Sequence, residues 1–246
     1  MKRSFAILIL IITIPTAAHA WTKASDQRIA KKAATLAPPD MKLVIERFDG
    51  DYQKGLARAQ ADEGSVAHHY FVLSRSGQLR DRIELESNGI VKMIRANEPM
   101  SLVVERLGLL AHLVADANNP FHVSNGDTKI DLMRNDFEQY FERRMSKFPT
   151  VFYGLDANFR IGSYLDRTFT RTSRFYPLMG EEYFRFGEER TSSEFDDRST
   201  AFGVASVCYS HAVTDLVNLY YYIWREAGGD VRSAGAMRRG NLTTLQ

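Results

Sequence analysis

The stretch RLGLLAHLVADANNPFH, Arg106–His122, decides the reading of this chain. Leu107, Leu110, Leu113 and Val114 recur at helical spacing and give the segment an apolar face. His112 and Asp116 stand four residues apart, about one turn, and so project from the same side. An imidazole and a carboxylate in that relation can grip one metal ion or can simply hydrogen-bond to each other. Pro120 has no N–H to continue the ladder, so the helix ends just before it and His122 falls on the following turn. The same spacing returns at His211 and Asp215 in SHAVTDLVNLYYYIW, where a buried hydrogen-bonded pair is expected.

Working outward, residues 1–20 read as a secretory signal. Lys2 and Arg3 precede an apolar run from Phe5 to Ile14, and Ala18-His19-Ala20 forms a small-residue cleavage site. The run is too short to span a bilayer. The expected exported chain, periplasmic or extracellular, starts at Trp21. Losing Lys2 and Arg3 leaves 30 Lys and Arg against 30 Asp and Glu. That balance argues against a broadly electropositive nucleic-acid surface. The single Cys208 cannot form an internal disulfide and sits among apolar neighbours, as a buried thiol does. One domain over 21–228, with a flexible tail over 229–246, fits the length.

No stretch alternates as a strand should, and no repeat appears, so the class is all-α with seven to nine helices. Ser25 is the expected N-cap of DQRIAKKAATLA, which Pro38 and Pro39 stop. A short helix is expected over Met41–Phe48, with Gly50 and Gly55 breaking the pattern. Further helices are expected over Gln78–Ala96, over KIDLMRNDFEQYFERRM from Lys129, and over Thr200–Ala227.

Five histidines remain after the signal, and four lie in segments that also offer carboxylates. An exported chain starting with Trp, a donor five residues on, an Asp before His-Tyr-Phe, then His-x-x-x-Asp-x-x-x-Pro-x-His and a Glu-bearing helix occur in that order. In this the chain resembles the zinc-dependent phospholipase C family, which shares its scaffold with fungal-type single-strand nucleases. The resemblance runs from Trp21 to about Glu138 and more vaguely to Trp224. It implies an all-helical domain with two or three zinc ions in a cleft. Asp62, His69, His112 and Asp116 would hold the first ion, with His69 preferred to His68 because Tyr70-Phe71 follows it. Asp116 would bridge to an ion held by the amine and carbonyl of Trp21, and His122 and Glu138 would serve the remaining one.

Two positions depart from the family. Asp26 stands where it has a histidine; a carboxylate oxygen is a legitimate zinc ligand. Arg134 stands where it has another, and a guanidinium has no lone pair to give. Arg134 either pairs with Glu138 one turn on, the favoured alternative, or binds a phosphate oxygen in place of an ion. The resemblance implies a metal-dependent phosphodiester hydrolase acting on phospholipid, with Asp62 helping to orient the attacking water and with transient contact at a membrane surface. A single-strand nuclease is the alternative enzyme, and a degenerate member that binds metal without turnover is the alternative to an enzyme. Phe121, Phe152 and Tyr153 are expected in the core rather than in a cleft.

Overall fold

Ten helices carry the fold in the computed structural model, which describes residues 21–62, 66–231 and 243–245. The expected export signal lies outside the described residues. In chain order the helices are α1 (Lys23–Thr35), α2 (Pro39–Arg47), α3 (Asp49–Ala61), α4 (Leu79–Arg95), α5 (Met100–Ala117), α6 (Thr128–Asp131), α7 (Arg134–Arg144), α8 (Ile161–Ser173), α9 (Phe175–Tyr183) and α10 (Thr200–Glu226). Five very short strands accompany them: β1 (Tyr70–Phe71), β2 (Ser76–Gly77), β3 (Val123–Ser124), β4 (Thr150–Phe152) and β5 (Thr243–Leu245). The all-α class holds. Among the described residues no helix is long and apolar enough to cross a membrane.

α5 is buried from Val103 to Ala117, with only Arg106 partly exposed in that span, so it must be surrounded on all sides. α1, α3, α4 and α10 pack around it. The crossing with α3 is the closest. A Cβ on Gly55 would lie 1.9 Å from the Glu105 carbonyl oxygen, and one on Gly108 would lie 2.0 Å from that of Tyr52. Two glycines facing each other's helix let the backbones meet. Gly50 and Gly55 were expected to interrupt helix; instead α3 runs through both, because at Gly55 the missing side chain serves packing.

Other boundaries shift for local reasons. Thr22, not Ser25, caps α1: its hydroxyl accepts from the Ser25 N–H at 3.3 Å, and Ser25 lies inside the first turn. The single helix expected from Lys129 is two, α6 and α7, divided at Leu132-Met133. Asp127 caps the first by accepting from the N–H groups of Lys129 and Ile130. α5 ends at Ala117, just ahead of Pro120, as expected. β1 pairs antiparallel with β2 and parallel with β3, in the order β2-β1-β3, which ties the segment after His69 to the segment after His122. Within the expected loose tail, residues 243–245 pair antiparallel with β4; residues 232–242 lie outside the described residues.

Candidate metal centre

Sequence spacing alone puts His112 and Asp116 on one side of α5, and both are fully buried. A buried carboxylate or imidazole is costly unless partnered, so each must be met by groups from other elements. α1 brings Asp26, whose Oδ2 lies 2.7 Å from His112 Nδ1. α3 brings Gln60, which donates to the same oxygen at 2.7 Å. The turn after α3 brings His68. Its Nδ1 donates to Asp116 Oδ2 at 2.7 Å and lies 3.3 Å from His112 Nε2. The third side of the triangle, His112 Nε2 to Asp116 Oδ2, is 3.2 Å.

These three atoms form a group that could hold a metal ion. Donors about 2.0–2.1 Å from a tetrahedral zinc lie about 3.3 Å from one another, which is the scale of this triangle. Asp26 engages the far nitrogen of His112 and leaves Nε2 directed at the group, the arrangement that fixes tautomer and ring orientation in histidine-ligated sites. Burial by itself lowers the basicity of His112, but Asp116 and Asp26 more than offset it and raise its pKa well above the ordinary value. Burial raises the pKa of Asp26. Asp116, despite burial, is held far below the carboxylate range by His112 and His122. His112 therefore carries a proton that an arriving cation must displace from Nε2.

A second row lies beside it. His122 donates through Nδ1 to the His68 carbonyl oxygen at 2.6 Å, so its Nε2 bears the lone pair. That Nε2, the Nδ1 of His69 and the Oδ1 of Asp116 are buried with no hydrogen-bond partner among the described residues. The His69 and His122 rings stack at 4.5 Å and 7°. Burial first, then the Arg134 guanidinium and other imidazoles, push His122 down to about 3 and His69 down to about 4. Both are neutral near pH 7 and keep a free acceptor.

The expected ligands thus do not all converge. His112 and Asp116 join the donor group. The expected preference for His69 gives way to His68: the tight turn over 66–68 buries His68 against α5, while His69 is half-buried and faces the His122 ring. Gly77, at φ +100°, is where the returning hairpin passes the His69 carbonyl, too close for any Cβ. Asp26 holds His112 from behind instead of joining the three atoms. His122 lies beside the group, stacked on His69, and Arg134 on α7 acts electrostatically on both stacked imidazoles, with its Nε buried and partnerless among the described residues; Glu138 is buried on the same helix and is not one of the three grouped donors. Trp21 is buried with its ring 4.1 Å from that of Phe141, which brings the start of α1 beside α7. Asp62 ends α3 on the surface, outside the donor group. It lines, with His68, Arg58 and Arg82, a cavity of about 260 Å³. Gln60 carried no signal in the sequence.

The second histidine–aspartate spacing is not a pair. Asp215 is buried, but its partners are Tyr164 (2.6 Å), Asn118 (3.0 Å), Thr168 (3.2 Å) and Arg171 (2.5 Å). His211 is half-buried and stacks on Tyr153 at 4.3 Å, since one turn of α10 here spans two different interfaces. Phe121 and Phe152 are core, as expected, whereas Tyr153 is 42% exposed. The Cys208 thiol is buried and pushed up to about 12. In comparison with known proteins, no family model matches the chain and no curated protein matches it.

Proposed function

We propose that this chain is an exported, metal-dependent phosphodiester hydrolase of the zinc phospholipase C type. One observation carries the reading: three buried donor atoms on His68, His112 and Asp116 converge at zinc-site spacing, beside buried acceptors of Asp116 and His122 that have no partner among the described residues. Buried polar atoms without partners are rare and ask for a reason. A zinc ion is a fitting one, because two imidazoles and a carboxylate suit it. When bound, such an ion supplies Lewis acidity and a water whose pKa falls to about 7.

The residues of the chain then divide the work. Asp26 keeps His112 Nε2 turned to the ion. Gln60 steadies Asp26. His122 Nε2 and the second oxygen of Asp116, both buried and partnerless among the described residues, would hold a further ion, with Glu138 of α7 as the third donor that the family resemblance implies. Arg134 receives a phosphoryl oxygen through its planar fork. Asp62, on the cavity that reaches His68, orients the attacking water and takes its proton. Phospholipid is the proposed substrate class. The near-balanced charge of the expected mature chain supports that choice over single-stranded nucleic acid.

The test is metal content and turnover of the purified full chain. It should bind at least one zinc and cleave bis(p-nitrophenyl) phosphate and phosphatidylcholine vesicles. His112→Ala should lose at least about 100-fold in both rate and zinc affinity. Zinc bound with no hydrolysis of either compound or of single-stranded DNA would replace this reading by a metal-binding protein without turnover. Arg134→His separates its two roles: more zinc with faster turnover would remove the phosphate-binding arginine.

A further inference from the structure

A groove separate from the metal centre runs between α1 and the segment that joins α7 to β4. It encloses about 620 Å³, within the range of small-molecule sites. Arg28, Lys31, Lys32 and Lys147 line it, and among the described residues no Asp or Glu does. Lys147 is tied to Asp197 at 2.5 Å. Arg28, Lys31 and Lys32 form no ion pair among the described residues. They stand at i, i+3 and i+4 on one face of α1, where like charges repel and weaken the helix. The helix dipole offsets this for Lys32 in the last turn, but for neither of the others.

The floor supplies a second, independent observation. Tyr209 is 1% exposed and lines the groove beneath Arg28, whose guanidinium carbon lies 5.9 Å from its ring. Thr150 Oγ1 donates to the Tyr209 hydroxyl at 3.3 Å, and that hydroxyl finds no acceptor of its own among the described residues. A buried O–H donor without an acceptor is expensive. Thr35 and Ser146 add hydroxyls at the rim. Three cations without a carboxylate partner among the described residues, and a buried donor at the floor, describe a receptor for a compact, multiply charged anion.

We propose that this groove binds a phosphomonoester or polyphosphate group, held by Arg28, Lys31 and Lys32 and receiving the hydrogen of Tyr209. Such a group carries about two negative charges and several strong acceptor oxygens, which this set of donors matches. Free phosphate compounds and phosphorylated lipid headgroups share that chemistry.

The experiment is calorimetric titration of the full chain, freed of metal with EDTA, with inorganic pyrophosphate. Saturable one-to-one binding is expected. Lys31→Gln/Lys32→Gln should weaken it at least 10-fold with thermal unfolding unchanged, and Tyr209→Phe, which removes only the hydroxyl and with it the acceptor of Thr150, should weaken it several-fold. Phosphatidylcholine vesicles carrying phosphatidic acid divide the sources. Co-sedimentation that pyrophosphate competes away assigns a headgroup, and pyrophosphate binding without co-sedimentation assigns a soluble compound. No saturable binding, or binding equal in wild type and the lysine variant, overturns the proposal. So does a single-stranded oligonucleotide that occupies the groove and is not displaced by pyrophosphate.

Discussion

At the residue scale the proposed centre depends on a carboxylate that does not belong to the donor triangle. Asp26 reaches His112 Nδ1 across 86 positions of chain and decides which nitrogen faces the ion. Asp26→Asn keeps the shape and removes the charge. Zinc affinity, measured by competition with a chromophoric chelator, should fall about 10–100-fold; an unchanged affinity would leave Asp26 no orienting role. His211 gives a second prediction, remote from that centre. Burial, with Arg171 nearby, lowers its pKa to about 4 in the folded chain. The unfolded imidazole titrates near 6.5, so between about 6.5 and 4 the unfolded state binds more protons. Stability from this group is complete above about 6.5 and drains away as pH falls to about 4. His211 is partly exposed, so screening reduces the effect to on the order of 1 kcal/mol. His211→Gln should flatten the denaturant midpoint over that window by this amount, with little change at pH 8.

Between elements, two contacts set the geometry. α3 and α5 touch through Gly55 and Gly108, and the obstacle to any larger residue is backbone carbonyl that cannot swing aside. Gly55→Ala or Gly108→Ala should cost about 3 kcal/mol or more, read as a lower urea midpoint. Gly89, in the middle of α4 with open space around it, is the control: Gly89→Ala should gain up to about 1 kcal/mol from helix propensity. The other contact is Asp215, which joins α10 to Arg171, Tyr164 and Thr168 of α8 and to Asn118 at the end of α5. Asp215→Ala leaves several buried donors and a cation unmatched. It should destabilise by about 3 kcal/mol, at an unaltered denaturant slope if folding stays two-state.

At the scale of the whole molecule, the ion proposed between α5 and the turn after α3, with α1 behind them, would bind the folded chain alone. At free zinc 100-fold above its dissociation constant, the gain is about 2.7 kcal/mol. For a chain of this size that is about 5–10 °C in Tm. EDTA should remove the increment from the wild type and do nothing to His112→Ala; equal response of both would place the zinc elsewhere. The fold class and the central helix were legible because apolar periodicity and the His112–Asp116 spacing are local patterns. The choice between His68 and His69 was not, since adjacent residues differ only in the direction a turn gives them. Gly55 read as a breaker for a related reason: a sequence shows that a side chain is missing, not what occupies its place.

By itself, then, the sequence determined an all-helical chain, the extent of α5 up to Pro120, and a short roster of imidazoles and carboxylates able to act together. Periodicity and backbone chemistry suffice for that, because both act over a few residues. Only the tertiary structure decided which members of the roster meet: that His68 joins His112 and Asp116, that Asp26 stands behind, and that Asp215 turns to Arg171 instead of His211. Those partnerships join residues tens of positions apart, and the close packing of α1, α3, α4 and α10 around α5, with α8 against α10, sets their distances.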